Sequence, residues 1–379
     1  MAGNRTQRPD LLMVVNEDAF FLSHRKEVAL AASEAGWNVT LLARDTGRRR
    51  DVERLGIRFV DLPVNPTGTN VLQEVRTFNF LLNFYLRHRD AVVHHVGIKN
   101  IVWGGAAARI AHVRGVVDAV CGLGTLFSDH ASEQTRNAIL RIMRYGFGLD
   151  NLRVIFQNHD DEEFFLSRGL IRPSRSRFIK GSGVDLSDYT PAETSGEFLT
   201  VTFTARMLRE KGVADLLEAA RLLRPRWEGR VRFLLCGPLS NHPDAIGGDQ
   251  LRSACDGTYI QWLGQRDDVA DILRRSDIMA FPSYYREGLP KSLIEACAAG
   301  LPIVTCDSVG CRDAVREGVN GFKIPPRSPE ILAHRLEILF SDPDLRARMG
   351  RASRSLAESD FDVRNVVASH LAIYRDFYK

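Results

Sequence analysis

Short apolar runs alternate with longer amphipathic stretches along the whole chain. Residues 11–15, 39–43, 57–62, 91–96, 116–120 and 154–157 are apolar or nearly so. Such runs, lacking polar alternation, predict parallel strands buried on both faces. Between them apolar residues recur at helical spacing. One helix is predicted to start at Ser23 as N-cap and to stop at Gly36. Val71, Leu72, Val75, Phe78, Leu81, Leu82 and Tyr85 predict a second, with that stripe turned to the core. A third spans 102–111, and Arg44 with Arg48 to Arg50 reads as a basic loop.

A sharp turn, FIKGSGVD at 178–185, and a linker-like stretch at 186–198 interrupt this rhythm, which then restarts. Strands are predicted at 199–204, 232–236, 259–263, 278–281, 303–306 and 321–324, with helices from Val213, over 269–276, before Gly300, and from Phe361 to the end. Strand–helix alternation predicts an α/β protein with two doubly wound parallel sheets. The expected domains are 1–185 and 186–360, with 361–379 as a closing helix.

Composition changes this picture little. At 379 residues there is room for two domains, and 44% hydrophobic with 26% charged residues is ordinary globular material. The six cysteines form no C-x-x-C pair, so neither a zinc site nor a disulfide framework is expected, and a reduced cytosolic compartment fits. The polar start, MAGNRTQRPD, lacks a signal-peptide core, and no apolar stretch has the length of a membrane span. Charge is more informative. Residues 1–183 hold 25 basic and 19 acidic side chains, net +6; the rest hold 26 and 28, net −2. A basic first half suits an anionic surface, whether membrane, nucleic acid or a polyphosphate, and equally suits ordinary surface variation. Within it, 136–145 mixes Arg136, Arg141 and Arg144 with Ile139, Leu140, Ile142 and Met143, a pattern that suits either an anionic bilayer surface or a buried helix with basic edges.

The candidate chemistry centres on 277–300, DIMAFPSYYREGLPKSLIEACAAG. An apolar strand, a loop with Glu287-Gly288-Leu289-Pro290, and a helix carrying Glu295 about two turns in make a phosphate-friendly strand–loop–helix. Upstream, Arg206 and Lys211 follow a strand, and Gly237, Leu263 and Gly264 close two others. Two cations and a helix N-terminus suit a diphosphate, Glu295 a ribose, and Glu287 a sugar. With two cations present and no D-x-D pair between Arg206 and Glu295, no metal is expected, and no nucleic-acid partner is expected either. In the first half the loop after the first strand, NEDAFF, lacks the glycines of a nicotinamide coenzyme site. His24, His94, His95 and Lys99 are candidates for acceptor contact; His24 suits a surface capping place equally, and strand-end histidines such as His94 and His95 are more often structural.

RMLREKGV at 206–213 and EGLPKSLIEA at 287–296 resemble the donor site of retaining glycosyltransferases of family 4, which have the GT-B fold of two facing Rossmann-like domains and a C-terminal helix crossing back to the first. The resemblance covers nearly the whole chain. FFLSHR at 20–25, VHHVGIKNIVWGGAAARIA at 93–111, GVVDAVCGLGTLF at 115–127 and FQNHDDEEFF at 156–165 resemble the branch that extends polyprenyl-diphosphate-linked glycans for O-antigen, capsule or N-glycan precursors. The resemblance implies a UDP-sugar donor, usually of an N-acetylhexosamine, and a peripheral enzyme on the cytoplasmic face of the membrane. It assigns Arg206 and Lys211 to the leaving diphosphate, with front-face attack aided by the leaving phosphate. One departure is that many members carry a histidine near 119–124, where this chain reads AVCGLG with Gly122 in that place. Three other readings stay open: a family 4 enzyme with another donor or a soluble acceptor, a UDP-sugar 2-epimerase drawing on Asp118 and Asp129, and a silent nucleotide-sugar-binding partner.

Overall fold

The computed structural model describes residues 8–65, 70–127, 132–191, 197–240, 242 and 244–379. The chain divides into two compact units, Met1–Ser182 with Arg364–Lys379, and Gly183–Val363. Part of the expected linker, 192–196, and Asp129 lie outside the described residues.

In the first unit β1 (Asp10–Glu17), β2 (Asn38–Arg44), β3 (Arg58–Asp61), β4 (Val92–Val96), β5 (Gly115–Val120), β6 (Leu152–Phe156) and β7 (Ser176–Phe178) form one parallel sheet. Its order is β3-β2-β1-β4-β5-β6-β7. The order reverses between β1 and β4, so their C-terminal ends form the place where an open α/β sheet receives ligands. The helices are α1 (Asp18–His24), α2 (Lys26–Glu34), α3 (Arg49–Arg54), α4 (Val71–Leu86), α5 (Ile98–Ala111), α6 (Gly124–Phe127), α7 (Glu133–Gly146) and α8 (His159–Ser167). They cover both faces. One core joins Val14, Tyr85, Val93 and Val116, and the other joins Met13, Val28, Val92 and Tyr374.

Several expectations need correction here. The first helix begins at Asp18, not Ser23. Asp18 is fully buried and accepts from the amides of Thr46 and Arg48, each at 3.0 Å. That carboxylate ties the loop after β1 to the loop after β2. Ser23 lies inside α1, where its hydroxyl donates to the carbonyls of Ala19 and Phe20. The basic loop is shorter than expected because Arg49 opens α3. The stripe on α4 is only partly core: Val71 and Leu72 are 73% and 81% exposed and Val75 is also exposed. Conversely Ile139, Leu140 and Ile142 of α7 pack against the core, leaving Arg141 and Arg144 outside.

In the second unit β8 (Leu199–Thr204), β9 (Val231–Cys236), β10 (Ile260–Gly264), β11 (Ile278–Phe281), β12 (Ile303–Cys306) and β13 (Gly321–Ile324) form a parallel sheet of order β10-β9-β8-β11-β12-β13. Its order reverses between β8 and β11. The helices are α9 (Val213–Trp227), α10 (Gly248–Ala254), α11 (Val269–Arg274), α12 (Lys291–Ala298), α13 (Pro329–Ser341) and α14 (Pro343–Leu356), around one large apolar core. The last helix, α15 (Val363–Arg375), runs into the first unit. There Tyr374 packs on Trp37, with ring centres 5.8 Å apart, and Tyr378 donates to the Asp90 carbonyl at 2.8 Å.

Candidate functional site

Arg206, Lys211 and Glu287 to Pro290 lie on the loops that leave the C-terminal ends of β8 and β11, the two strands flanking the order reversal; Gly237 follows β9, Leu263 and Gly264 end β10, and Glu295 lies in α12. After β8 the chain makes a single 3-10 turn, Arg209–Lys211, and enters α9 through Gly212 at φ +81°. A side chain at Gly212 would strike the Pro282 carbonyl, so only glycine lets the turn press against the loop after β11. Backbone bonds fasten the contact. The amides of Tyr284 and Tyr285 donate to the Glu210 carbonyl at 3.0 and 3.1 Å. A third loop joins them: Ser308 donates to the Ser283 carbonyl at 2.7 Å, and the Glu287 amide to Val309 at 3.3 Å.

This framework brings Lys211 and Glu287 into an ion pair in which each side chain is 13% exposed. The Ser283 hydroxyl also donates to Glu287 at 3.4 Å. Lys211 sits over the rings of Tyr285 and Phe281, 5.1 and 5.8 Å from their centres. Arg206 is exposed, and its charge is felt at the Tyr285 phenol. Burial and then the Glu287 charge push that phenol up to about 12, against the pull of Arg206.

Gly288 and Leu289 are buried and lead to Pro290, the N-cap of α12. Ser292 in the first turn donates to the Thr204 carbonyl at 2.6 Å, which aims the helix start at the end of β8. Glu295 lies about one turn into α12, closer to its start than the sequence suggested, because the helix begins only at Lys291. It pairs with Lys291 at 2.9 Å. It also faces Tyr189, whose phenol is raised by burial and then by the charge and hydrogen bond of Glu295. Gly237 ends β9 so close to the Ala205 carbonyl that a Cβ there would collide with it. Its amide donates to the Gly264 carbonyl at 2.7 Å, and Trp262 donates to its carbonyl at 2.9 Å. Leu263 is half-buried beside it. Sequence reasoning missed Phe281, Ser283, Tyr285, Ser292 and Tyr189. The Tyr-Tyr pair ahead of Arg286-Glu287 was the one available signal.

The first unit treats its candidates differently. His94 and His95 are fully buried, which removes both from acceptor contact. His95 is held at both nitrogens, by Asp118 at 2.6 Å and by the Tyr85 hydroxyl at 2.9 Å. His94 meets Tyr374 of α15 at 2.7 Å, and burial with nearby positive groups pulls its imidazole well below the usual range. Asp118 is fully buried too, so the carboxylate an epimerase would use is committed to His95. His24 closes α1 rather than opening a helix; it is half-buried, stacked on Phe20 at 4.2 Å and bonded to Ser23 at 2.6 Å. Lys99, in the first turn of α5, pairs with Glu74 at 2.7 Å and donates to the Asn65 carbonyl at 2.6 Å. Gly122 follows Cys121, whose sulfur accepts from the buried Arg25 at 3.3 Å. All six cysteines are free thiols. Among the described residues no cluster of His, Cys, Asp and Glu is arranged to hold a metal, and no helix is long and apolar enough to cross a membrane.

Two parallel Rossmann-like sheets, with basic and acidic residues on the loops at a strand-order reversal, define the GT-B glycosyltransferase fold. Anabaena Alr3699/HepE in complex with UDP shares it, with TM-score 0.74 at 18% identity over 97% of this chain and 100% of its own. The protein-family model for glycosyl transferases group 1 matches residues 191–356. An N,N'-diacetylbacillosaminyl-diphospho-undecaprenol alpha-1,3-N-acetylgalactosaminyltransferase of Campylobacter jejuni is 24% identical over 335 residues, 84% of this chain and 86% of its own. A UDP-Gal:alpha-D-GlcNAc-diphosphoundecaprenol alpha-1,3-galactosyltransferase of Escherichia coli is 22% identical over 76% of each chain. The chain is a glycosyltransferase, and the stretch that matches the group 1 model lies within the second unit.

Proposed function

We propose that this enzyme is a retaining family 4 transferase that moves a sugar from a UDP-sugar to a polyprenyl-diphosphate-linked saccharide, in the assembly of a bacterial surface or protein-linked glycan. The observation that carries the reading is the meeting of Lys211 and Glu287 beside the start of α12. The names of the Campylobacter and Escherichia relatives support the acceptor class, and the UDP bound in the Anabaena structure supports the donor class. An N-acetylhexosamine is the donor sugar we favour, on the Campylobacter name.

In this reading the second unit binds the donor. Glu295 accepts the ribose hydroxyls. Backbone N–H groups of the first turn of α12, from Lys291, and the positive end of that helix face the diphosphate. Arg206 and Lys211 take up the charge that develops as the glycosidic bond breaks, without a metal. Glu287 then accepts from sugar hydroxyls, and the leaving phosphate takes the acceptor proton on the attacked face. The first unit receives the acceptor. Its basic surface, with Arg141 and Arg144 on α7 and the exposed Val71 and Leu72 on α4, rests against the anionic inner face of the plasma membrane.

The test is UDP release with a panel of UDP-sugars and a polyprenyl-diphosphate disaccharide, with and without a chelator. Release with one sugar only, dependent on the acceptor and unchanged by chelation, is expected. UDP release without any sugar transfer, or a 2-epimerised product, overturns the assignment.

A further inference from the structure

Lys211 keeps more company than its acid partner. Its ammonium lies within the ~6 Å range of cation–π attraction of two rings, Tyr285 at 5.1 Å and Phe281 at 5.8 Å. Phe281 is buried at the end of β11 and cannot turn away. Tyr285 is fixed by its amide bond to the Glu210 carbonyl, one residue before Lys211. The ring and the lysine are thus placed by the same backbone contact.

We propose that Phe281 and Tyr285 form an aromatic cage that holds the Lys211 ammonium in its phosphate-facing place once the diphosphate draws it from Glu287, with Tyr285 as a positioning residue for the donor diphosphate. The inference rests on the donor-site reading above. Its physical ground is a conflict within the ion pair. A carboxylate that holds a lysine also cancels its charge, and a cation cancelled in this way attracts phosphate weakly. When a diphosphate competes for Lys211, the hold of Glu287 loosens just when the lysine must be placed. A ring face attracts the ammonium through its quadrupole and leaves the full positive charge for the phosphate. The cage therefore does what a second acid at this position cannot.

The experiment is a calorimetric titration of the full chain with UDP, on the wild type, Y285F, Y285L, K211M and the double variant Y285L/K211M, each checked by thermal melting. Y285L is expected to bind UDP about fivefold more weakly, and Y285F to recover the loss, because the ring and not the hydroxyl does the holding. In the K211M background the Y285L change is expected to cost nothing more, since the group it positions is gone. Equal loss in both backgrounds, or no loss in either, overturns the cage. Wild-type UDP affinity in K211M overturns the donor-site reading itself, a result distinct from failure of the cage. If Y285L melts early, Y285M, of similar volume, replaces it in the same cycle.

Discussion

Lys211 and Glu287 stand 76 positions apart and meet as an ion pair, each with a side chain 13% exposed. Neither lies on a strand. Each is placed by a loop at the C-terminal edge of the second sheet, and the two loops are joined by backbone bonds to Glu210. The relationship is therefore a property of the framework rather than of two flexible side chains.

Replacing Lys211 by Ala removes the cation with its side-chain contacts and leaves the backbone bonds between the two loops in place. Sugar transfer is expected to fall by about 100-fold or more, as when one preorganised charge is lost from a transition state. The melting temperature is expected to drop by no more than about 4 °C. UDP release assays and a thermal melt check both; transfer at the wild-type rate sinks the donor-site assignment.

In the proposed donor site Glu295 has a different task. In E295Q the amide keeps one acceptor but loses the charge-assisted bonds to a ribose. The donor KM is expected to rise about tenfold with kcat nearly unchanged. The wild type is expected to lose most of its preference for UDP over 2′-deoxy-UDP on the same change. Steady-state kinetics with both nucleotides as inhibitors measure this.

The first unit should be acid-sensitive. His370 on α15 is fully buried, and burial first, then the nearby Arg25 guanidinium, pull its imidazole down to about 3. In the unfolded chain it titrates near ~6.5, so between these values the unfolded state binds the extra proton. Stability is thus full above about pH 6.5 and falls as pH drops toward 3, by about 1.4 kcal/mol per pH unit for this group. His94, also pulled low by burial, steepens the fall. In H370Q the slope measured by denaturant unfolding between pH 6 and 4, a window chosen inside that range, is expected to lessen by about one proton.

Membrane contact is expected to depend on the tip of α4 more than on α7. Val71 and Leu72 are 73% and 81% exposed, whereas the apolar residues of α7 already pack on the core. Changing both to Ser is expected to lower binding to anionic vesicles by about tenfold or more, given ~25 cal/mol for each Å² of apolar surface. Flotation with phosphatidylglycerol vesicles reads the effect, and equal flotation of wild type and variant ends the claim.

Much of this architecture can be read from the chain alone, because a doubly wound sheet writes each buried strand as an unbroken apolar run. The order of Arg206, Lys211, Gly237, Gly264, Glu287 and Glu295 along one such sheet placed them on a common edge. His94 and His95 show where that reading stops. Both faces of the sheet are covered by helices, so adjacent strand residues are buried on opposite sides: His95 against Tyr85 of α4 and His94 against Tyr374 of α15. A period of two cannot distinguish such a pair from residues at a sheet edge. The start of α1 was missed for a related reason. Its anchor, Asp18, bonds to Thr46 and Arg48 across the sheet edge, a long-range contact with no local signature. The stripe on α4 misled in the other direction, since helical spacing shows that a face is apolar but not what covers it.

The placement of α15 has a consequence for synthesis. Residues 364–379 belong to the first unit, yet they leave the ribosome after the whole of the second. The second unit is contiguous and can close its core as soon as it emerges, while the first waits with Trp37, His94 and the groove beside Gly115 uncovered. The first sheet is begun before the second unit and completed after it, so a transcript cut short near codon 363 yields a sound second unit joined to an open, aggregation-prone partner.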